Sequence, residues 1–256
     1  MKRLEGRVAL ITGAGSGIGA ATAQVFAESG AAVGVLDVDP GKAREVVSRI
    51  EALGGQAVAL AADVSAFDQF DAAVQHLLRR YARVDVLVNN AAVQIMGPLH
   101  AFGDEDFDRV IAVNLKGSFN GCRIVLPVLM QQGHGVILFT SSVLGLVADP
   151  DLAVYGATKA GMIALMRSVA LAYGSHGIRA AAVCPGDVET PLVAEYFRFQ
   201  PDPEAARQAV SRHYPLGRIA QPTEVAKVLA FLASDDASFV SGSSVIVDGG
   251  LLANVY

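Results

Sequence analysis

Tyr155 and Lys159 stand one helical turn apart in Tyr-Gly-Ala-Thr-Lys, and Thr12–Gly19 reads Thr-Gly-Ala-Gly-Ser-Gly-Ile-Gly directly after the apolar run Val8–Ile11. A phenol and an ammonium on one helix face can move a proton. A glycine turn between strand and helix can cradle a pyrophosphate, because the backbone comes close and the helix offers its first amides. Either element alone is weak, since glycine clusters make ordinary turns and such pairs occur on many surface helices. Together they point to redox chemistry beside a dinucleotide.

Within the turn, Gly13, Gly17 and Gly19 permit the tight bend, the close approach to phosphate and the packing of helix on strand, and Ser16 and Ile18 complete the candidate phosphate set. Asp37 ends the second apolar run, about 20 residues on, where a carboxylate can accept hydrogen bonds from both adenine-ribose hydroxyls. Its charge would repel a 2′-phosphate, and Ala14, Gly15, Ser16 and Val38 bring no cation to offset it. NAD is therefore the expected cofactor. The alternative for Asp37 is a solvated turn residue opening Asp-Val-Asp-Pro-Gly.

Elements that alternate along the chain must position these groups. The apolar runs Val8–Ile11, Ala32–Leu36, Ala57–Ala61, Val84–Val88, Val136–Phe139, Ile178–Val183 and Val245–Val247 are separated by segments long enough for helical crossovers. The runs are continuously apolar, as expected of strands covered on both faces. The expected fold is α/β, a Rossmann-type doubly wound parallel sheet of about seven strands with helices on both sides, in one domain over residues 1–256. Residues 191–215 break the pattern with Phe197, Phe199, Pro201 and Pro203. They form either a substrate-binding lid or an ordinary helical insertion that packs its aromatics on the core.

Composition narrows the partners. The 256 residues are 52% hydrophobic and 18% charged, which suits a large core and leaves apolar area for subunit contacts. A net charge of -5, a pI near 5.5 and the lack of a basic cluster argue against nucleic acid and anionic lipid. No apolar stretch approaches the roughly 20 residues of a membrane span, and the charged start before the glycine turn does not resemble a secretory signal, so a cytoplasmic location is expected. Cys122 and Cys184 read as buried reduced thiols. The scattered His76, His100, His134, His176 and His213 show no metal-ligand spacing, so no metal is expected.

The chain also carries Asp63-Val64, Asn89-Asn90-Ala91, Asn114 in Val-Asn-Leu-Lys-Gly, Ser141-Ser142, Pro185-Gly186 with Val188 and Thr190, and Val247-Asp248-Gly249-Gly250. With these in order, it resembles the short-chain dehydrogenase/reductase family over essentially its whole length. The resemblance implies that Asp63 and Val64 hold the adenine, Asn90 the adenosine ribose side, and Val188 with Thr190 the nicotinamide carboxamide. It departs at Ala92, where the family usually has glycine.

Removing hydride from a secondary alcohol requires loss of the hydroxyl proton, and Tyr155 is the candidate base. Its ordinary pKa of about 10 must fall, and a nearby ammonium and an oxidised nicotinamide both favour the phenolate. By the resemblance Lys159 supplies that ammonium and also bonds the nicotinamide ribose, Ser142 holds the reacting oxygen, and Asn114 supports a relay water. Gln94, Val143, Leu144, Val147, Asp149, Leu152 and Asp187 border the family's pocket, with Gln94, Asp149 and Asp187 as its polar candidates beside Ser142 and Tyr155. This mixture suits a sugar, polyol or cyclic alcohol. The rival within enzymes is a 3-oxoacyl thioester reductase, against which Asp37 and the acidic balance argue. The rival from another class is a dinucleotide-sensing module without turnover. Phe107–Met130 and Ala153–Tyr173 carry many small and apolar residues and either pack within the subunit or form a homo-oligomer, by the resemblance a tetramer.

Overall fold

Short runs of valine, isoleucine, leucine and alanine pair to form the centre of the molecule. In the computed structural model, which describes residues 2–198 and 200–253, they are β1 (Val8–Thr12), β2 (Ala32–Asp37), β3 (Gln56–Ala61), β4 (Val86–Asn89), β5 (Gly135–Thr140), β6 (Ile178–Pro185) and β7 (Ser243–Val247). All pair in parallel, in the order β3-β2-β1-β4-β5-β6-β7. The doubly wound sheet expected from the sequence is present. Phe199 lies outside the described residues.

Helices α1 (Gly17–Glu28), α2 (Pro40–Ala52), α3 (Phe67–Tyr81), α4 (Asp104–Val110), α5 (Gly117–Gln132), α6 (Ala153–Tyr173), α7 (Pro191–Arg198), α8 (Pro203–Arg212) and α9 (Pro222–Ala233) complete the fold. Successive strand residues point to opposite faces. Leu10, Leu87 and Phe139 meet Phe70 of α3, Leu129 of α5 and Met166 of α6. Ile11, Val35 and Val88 meet Phe26 of α1, Ile50 of α2 and Leu229 of α9. Two apolar layers sandwich the sheet, which is why its strands show no polar alternation.

Some boundaries differ from the apolar runs. Val84 precedes β4, because its backbone N–H donates to the Gln132 side chain at 3.2 Å and its carbonyl accepts from the same amide at 2.7 Å. The Phe107–Met130 stretch is divided between α4, a π-helical turn at Ile111–Lys116, and α5. Such turns insert a residue into a helix and commonly lie at functional sites. Cys122 and Cys184 are free and buried, and burial pushes the Cys122 thiol up to about 12, so neither is a ready nucleophile. Among the described residues no helix is long and apolar enough to cross a membrane, and no cluster of three or more His, Cys, Asp or Glu could hold a metal ion.

Strand order reverses at β1, whose neighbours are β2 on one side and β4 on the other. The crevice at the carboxyl ends of β1 and β4 is where open α/β sheets bind ligands. At the opposite, amino end of these strands, the fully buried Asp85 carboxylate accepts from Val8 N–H at 2.7 Å, from Arg83 and from His134 Nε2 at 3.0 Å. Burial alone would raise its pKa, but the hydrogen bonds from Arg83, Val8 and His134 outweigh that and leave it lowered. A lowered folded-state pKa stabilises above the unfolded value of about 3.9, and that stability is lost as pH falls through the folded value. Asp85→Asn is expected to lower unfolding free energy at pH 7 by about 2–3 kcal/mol. It should also flatten the acid dependence of urea unfolding between about pH 5 and pH 2. An acid slope equal to that of the parent would show that Asp85 does not set it.

Candidate active site

The site is built where β1 and β4 end. Thr12 Oγ1 donates to Val88 O and accepts from the backbone N–H groups of Asn90 and Ala91 at 2.9 and 3.0 Å. Asn90 Nδ2 donates to the carbonyls of Thr12 and Gly13 at 2.9 and 3.2 Å. The side chain expected at the adenosine ribose thus has its amide N–H groups committed to the glycine turn. The physical reason is that two parallel strands ending side by side leave carbonyls that need donors.

The turn itself is crowded. A Cβ on Gly19 would stand 2.1 Å from Gly13 O and 2.6 Å from Asn90 Nδ2. Gly13 adopts φ +61°, and a Cβ there would lie 2.7 Å from Ala91 Cα. Ser16 precedes α1 in extended backbone with no side-chain cap bond, and the first turn of α1 carries no acidic residue. The first amides and the positive end of the helix dipole are therefore left for an anion, as a pyrophosphate requires. Ala92 carries no positive φ, since Ala82 is the only such non-glycine among the described residues, so the departure from the family's glycine is accommodated without strain.

Asp37 Oδ2 accepts from Gly15 N–H at 2.8 Å and Oδ1 from Asp39 N–H at 3.0 Å. These bonds fix the carboxylate at the rim of the turn and leave further lone pairs on both oxygens. Lys42, beyond the positions that the sequence reading weighed, packs its Cβ 2.8 Å from where a Gly15 Cβ would be, while its ammonium faces Asp39 at 4.0 Å. Asp63 Oδ1 accepts from the N–H and hydroxyl of Ser65, at 2.8 and 2.7 Å. Asn120 donates to the carbonyl of Val64, which holds that loop on α5.

A cleft of about 940 Å³ joins the turn to the other candidates. Gly13, Ser16, Gly17, Ile18, Asp37, Asp63, Val64, Asn90, Ser142, Tyr155, Lys159, Val188 and Thr190 all line it, whereas Gly19 and Asn114 support its walls from behind. Val188 bridges to Ala220, and the Thr190 methyl lies 3.1 Å from where a Gly17 Cβ would be, so the segment after β6 closes on the turn. Gln94, Val143, Leu144, Asp149, Leu152 and Asp187 line the far end. Val147 does not; it is exposed instead, because the chain turns outward after a short helical turn at Val143–Gly145.

Lys159 is 1% exposed on α6, donates to Thr140 O at 2.8 Å and lies 5.3 Å from the Tyr155 ring centre. Burial pushes its pKa down to about 8, with the Cys184 thiol acting weakly in the other direction. Burial pushes the Tyr155 hydroxyl up, hydrogen bonding with Ser142 opposes this, and the charge of Asp187 adds to it. The expected lowering of Tyr155 by Lys159 is not what the protein's own groups produce, because the cost of burying a phenolate dominates. Asn114 is fully buried: Oδ1 accepts from Val93 N–H at 2.8 Å, and Nδ2 donates to Val93 O and to Thr158 Oγ1. Its side chain ties the segment after β4 to α6.

Sequence reasoning missed Tyr196, His213 and Tyr214, which enter the cleft wall from the 191–215 segment. Tyr214 Oη donates to Asp187 Oδ2 at 2.7 Å and accepts from Asp187 N–H at 2.6 Å. No motif spacing marks them; the aromatic content of the segment was the only signal. For the crowded turn, Gly19→Ala is expected to destabilise by about 2–4 kcal/mol, since a backbone carbonyl cannot retreat as a side chain does. It should also weaken NADH binding at least tenfold in a fluorescence titration; unchanged binding and stability would contradict the close approach.

Comparison with known proteins identifies the family. A family model described as Enoyl-(Acyl carrier protein) reductase matches residues 13–252. The chain is 41% identical over 250 residues to the 3-oxoacyl-[acyl-carrier-protein] reductase FabG of Thermotoga maritima, covering 98% of this chain and 99% of the relative. It is 40% identical over 250 residues to a cyclohexanol dehydrogenase of Acinetobacter sp., covering 96% and 95%. The crystal structure of a 3-ketoacyl-(acyl-carrier-protein) reductase from Brucella melitensis complexed with NADH superposes with a TM-score of 0.88 at 36% identity, over 97% of this chain and 99% of that one. Identity at this level along nearly the whole of each chain places the protein in the short-chain dehydrogenase/reductase family, oxidoreductases that work with a nicotinamide dinucleotide.

Proposed function

We propose that the protein is an NAD-dependent dehydrogenase that interconverts a secondary alcohol and its ketone, with a sugar, polyol or cyclic alcohol as substrate. The observation that carries this is the shared cleft, in which Ser142, Tyr155 and Lys159 stand at one end and the fixed Asp37 carboxylate at the other. Bound there, a nicotinamide dinucleotide supplies hydride acceptance and, when oxidised, a positive charge. Tyr155 takes the hydroxyl proton in oxidation and returns one to the carbonyl oxygen in reduction. Ser142 orients that oxygen. Lys159, anchored to Thr140 O beneath the Tyr155 ring, holds a cation near the phenol and presents donors to a ribose. Asn114 positions α6 against the segment after β4.

Asp37 supports NAD over NADP, since a 2′-phosphate would meet a carboxylate that two backbone N–H groups hold in place. The cyclohexanol dehydrogenase relative supports a cyclic alcohol. The FabG relative favours a second reading, reduction of a 3-oxoacyl thioester. The carboxylates of Asp149, Asp151 and Asp187 along the substrate end weigh against it, because an acidic carrier would be repelled there. We further infer a cytoplasmic tetramer of one-domain subunits, with residues 191–215 as a lid. The exposed Phe107, Phe119 and Leu171 on α4, α5 and α6 support the assembly; light scattering on the eluting protein should give four subunit masses, and a monomer would refute it.

Turnover of a panel of sugars, polyols, cyclitols, aliphatic alcohols and hydroxyacyl thioesters, read as NADH or NADPH absorbance, tests the reaction. NAD should exceed NADP at least tenfold in kcat/KM, Asp37→Ser should narrow that gap, and Tyr155→Phe should abolish turnover while retaining cofactor binding. Because the protein's own groups hold Tyr155 protonated at neutral pH, oxidation should rise with pH and reduction should fall at alkaline pH. Binding without turnover across the panel would remove the reading.

A further inference from the structure

We propose that Asp187, clamped by Tyr214, selects among alcohols: it accepts a hydrogen bond from a second hydroxyl on the carbon beside the reacting one and excludes substrates bearing a carboxylate there. This rests on the alcohol-oxidising reading above and adds to it the residue pair that sets substrate class.

Asp187 follows Pro185-Gly186 at the carboxyl end of β6 and lines the substrate end of the cleft. The Tyr214 hydroxyl is wholly occupied with this one residue, donating its proton to Oδ2 and accepting from the Asp187 N–H. Backbone and side chain of Asp187 are thereby held by a single atom, so the carboxylate cannot swing away. Among the described residues no donor meets Oδ1 and no cation pairs with Asp187, which leaves its charge for whatever enters the cleft.

Tyr214 is itself immobilised. It is buried in a small apolar cluster with Phe197 and Ile219, below Val193 and Val210 of α7 and α8. A Cβ on Gly186 would lie 2.8 Å from its Oη, so only glycine lets the ring approach β6 this closely. Arg207 pairs with Glu189 and stacks over the Phe197 ring at 5.1 Å, fastening α8 to the segment after β6. Asp187 lines the same cleft as Ser142 and Tyr155, and its charge adds to the upward shift of the Tyr155 hydroxyl. A fixed acceptor with no cation paired to it, in the cleft that holds the reacting carbon, rewards a neighbouring hydroxyl within its reach and penalises an anion there. Sites built for one hydrogen bond discriminate strongly against analogues that lack it.

The test compares one ring with different neighbours: cyclohexanol, cis- and trans-cyclohexane-1,2-diol, and 2-hydroxycyclohexane-1-carboxylate, each oxidised with NAD by the parent, Asp187→Asn and Tyr214→Phe. NADH fluorescence checks that each variant still binds cofactor. In the parent, kcat/KM on one diol should exceed that on cyclohexanol roughly tenfold, and the carboxylate should fall roughly tenfold below it. Asp187→Asn keeps an acceptor for Tyr214 but removes the charge, and should bring all three ratios to within about threefold, mainly through KM. Tyr214→Phe keeps the ring packing and should lose part of the diol preference, because the carboxylate is then free to turn. Ratios unchanged from the parent in both cofactor-binding variants would overturn the inference while leaving the alcohol reading standing. Turnover of no alcohol by the parent would overturn that reading and this inference with it.

Discussion

Among the described glycines, Gly19 leaves the least room for a side chain, since a Cβ there would stand 2.1 Å from the Gly13 carbonyl oxygen. This contact fixes how far α1 can sink toward β1, and through Asn90 it fixes the spacing of β1 and β4 at their carboxyl ends. If α1 moved outward by the width of a methyl group, its first amides would withdraw from the crevice that the Asn90 amide closes on the Thr12 and Gly13 carbonyls. Thr12 completes the bracket, because one hydroxyl reaches both strands. Backbone crowding here does what side chains do elsewhere in the core: it holds two elements at a distance set by hard atoms.

Charge is placed with similar economy. Lys159 is buried beside Tyr155 at the substrate end of the cleft, where Asp149, Asp151 and Asp187 also gather, while Asp37 stands at the ribose end. A buried ammonium among carbonyls and a phenol loses hydration and keeps only a weakened hold on its proton. A buried phenol resists becoming an anion for the same reason. The chain's own groups thus move Tyr155 and Lys159 apart in proton affinity, the phenol upward and the ammonium downward from ordinary values of about 10 and 10.4, and the positive charge of an oxidised nicotinamide would pull the phenol back down.

The seven strands were legible because helices on both faces demand continuous apolar runs, and α6 was legible because its polar residues recur at helical spacing. The glycine turn, Asp37, Ser142, Tyr155 and Lys159 were legible because their chemistry demands particular residue types. Three things were hidden. Val84 reads as strand yet is diverted by Gln132, a partner far along the chain. Asn90 and Asn114 read as site groups, and their side chains also satisfy backbone atoms of neighbouring elements, which no local pattern encodes. Tyr214 reads as one aromatic in an irregular stretch, and its partner Asp187 is apparent only after the 191–215 segment has folded back. Local periodicity reveals what an element buries, but not which distant group it meets.

The position of β1 between β2 and β4 has a consequence for how the chain is born. As synthesis proceeds from the amino end, β1, β2 and β3 with their helices are available early, and one edge of β1 can pair with β2 at once. Its other edge has no partner until β4 emerges, and that wait spans α1, α2 and α3. When β4 arrives, Asp85 docks on Val8 at one end and Asn90 on Thr12 at the other, closing the strand pair like two clasps on a single hinge. An unpaired apolar strand edge is a hazard during that interval, and parallel pairings of long sequence separation form slowly. The nascent first third of this protein is therefore the portion most dependent on shielding, and its exposure ends only once the nucleotide crevice itself has been framed.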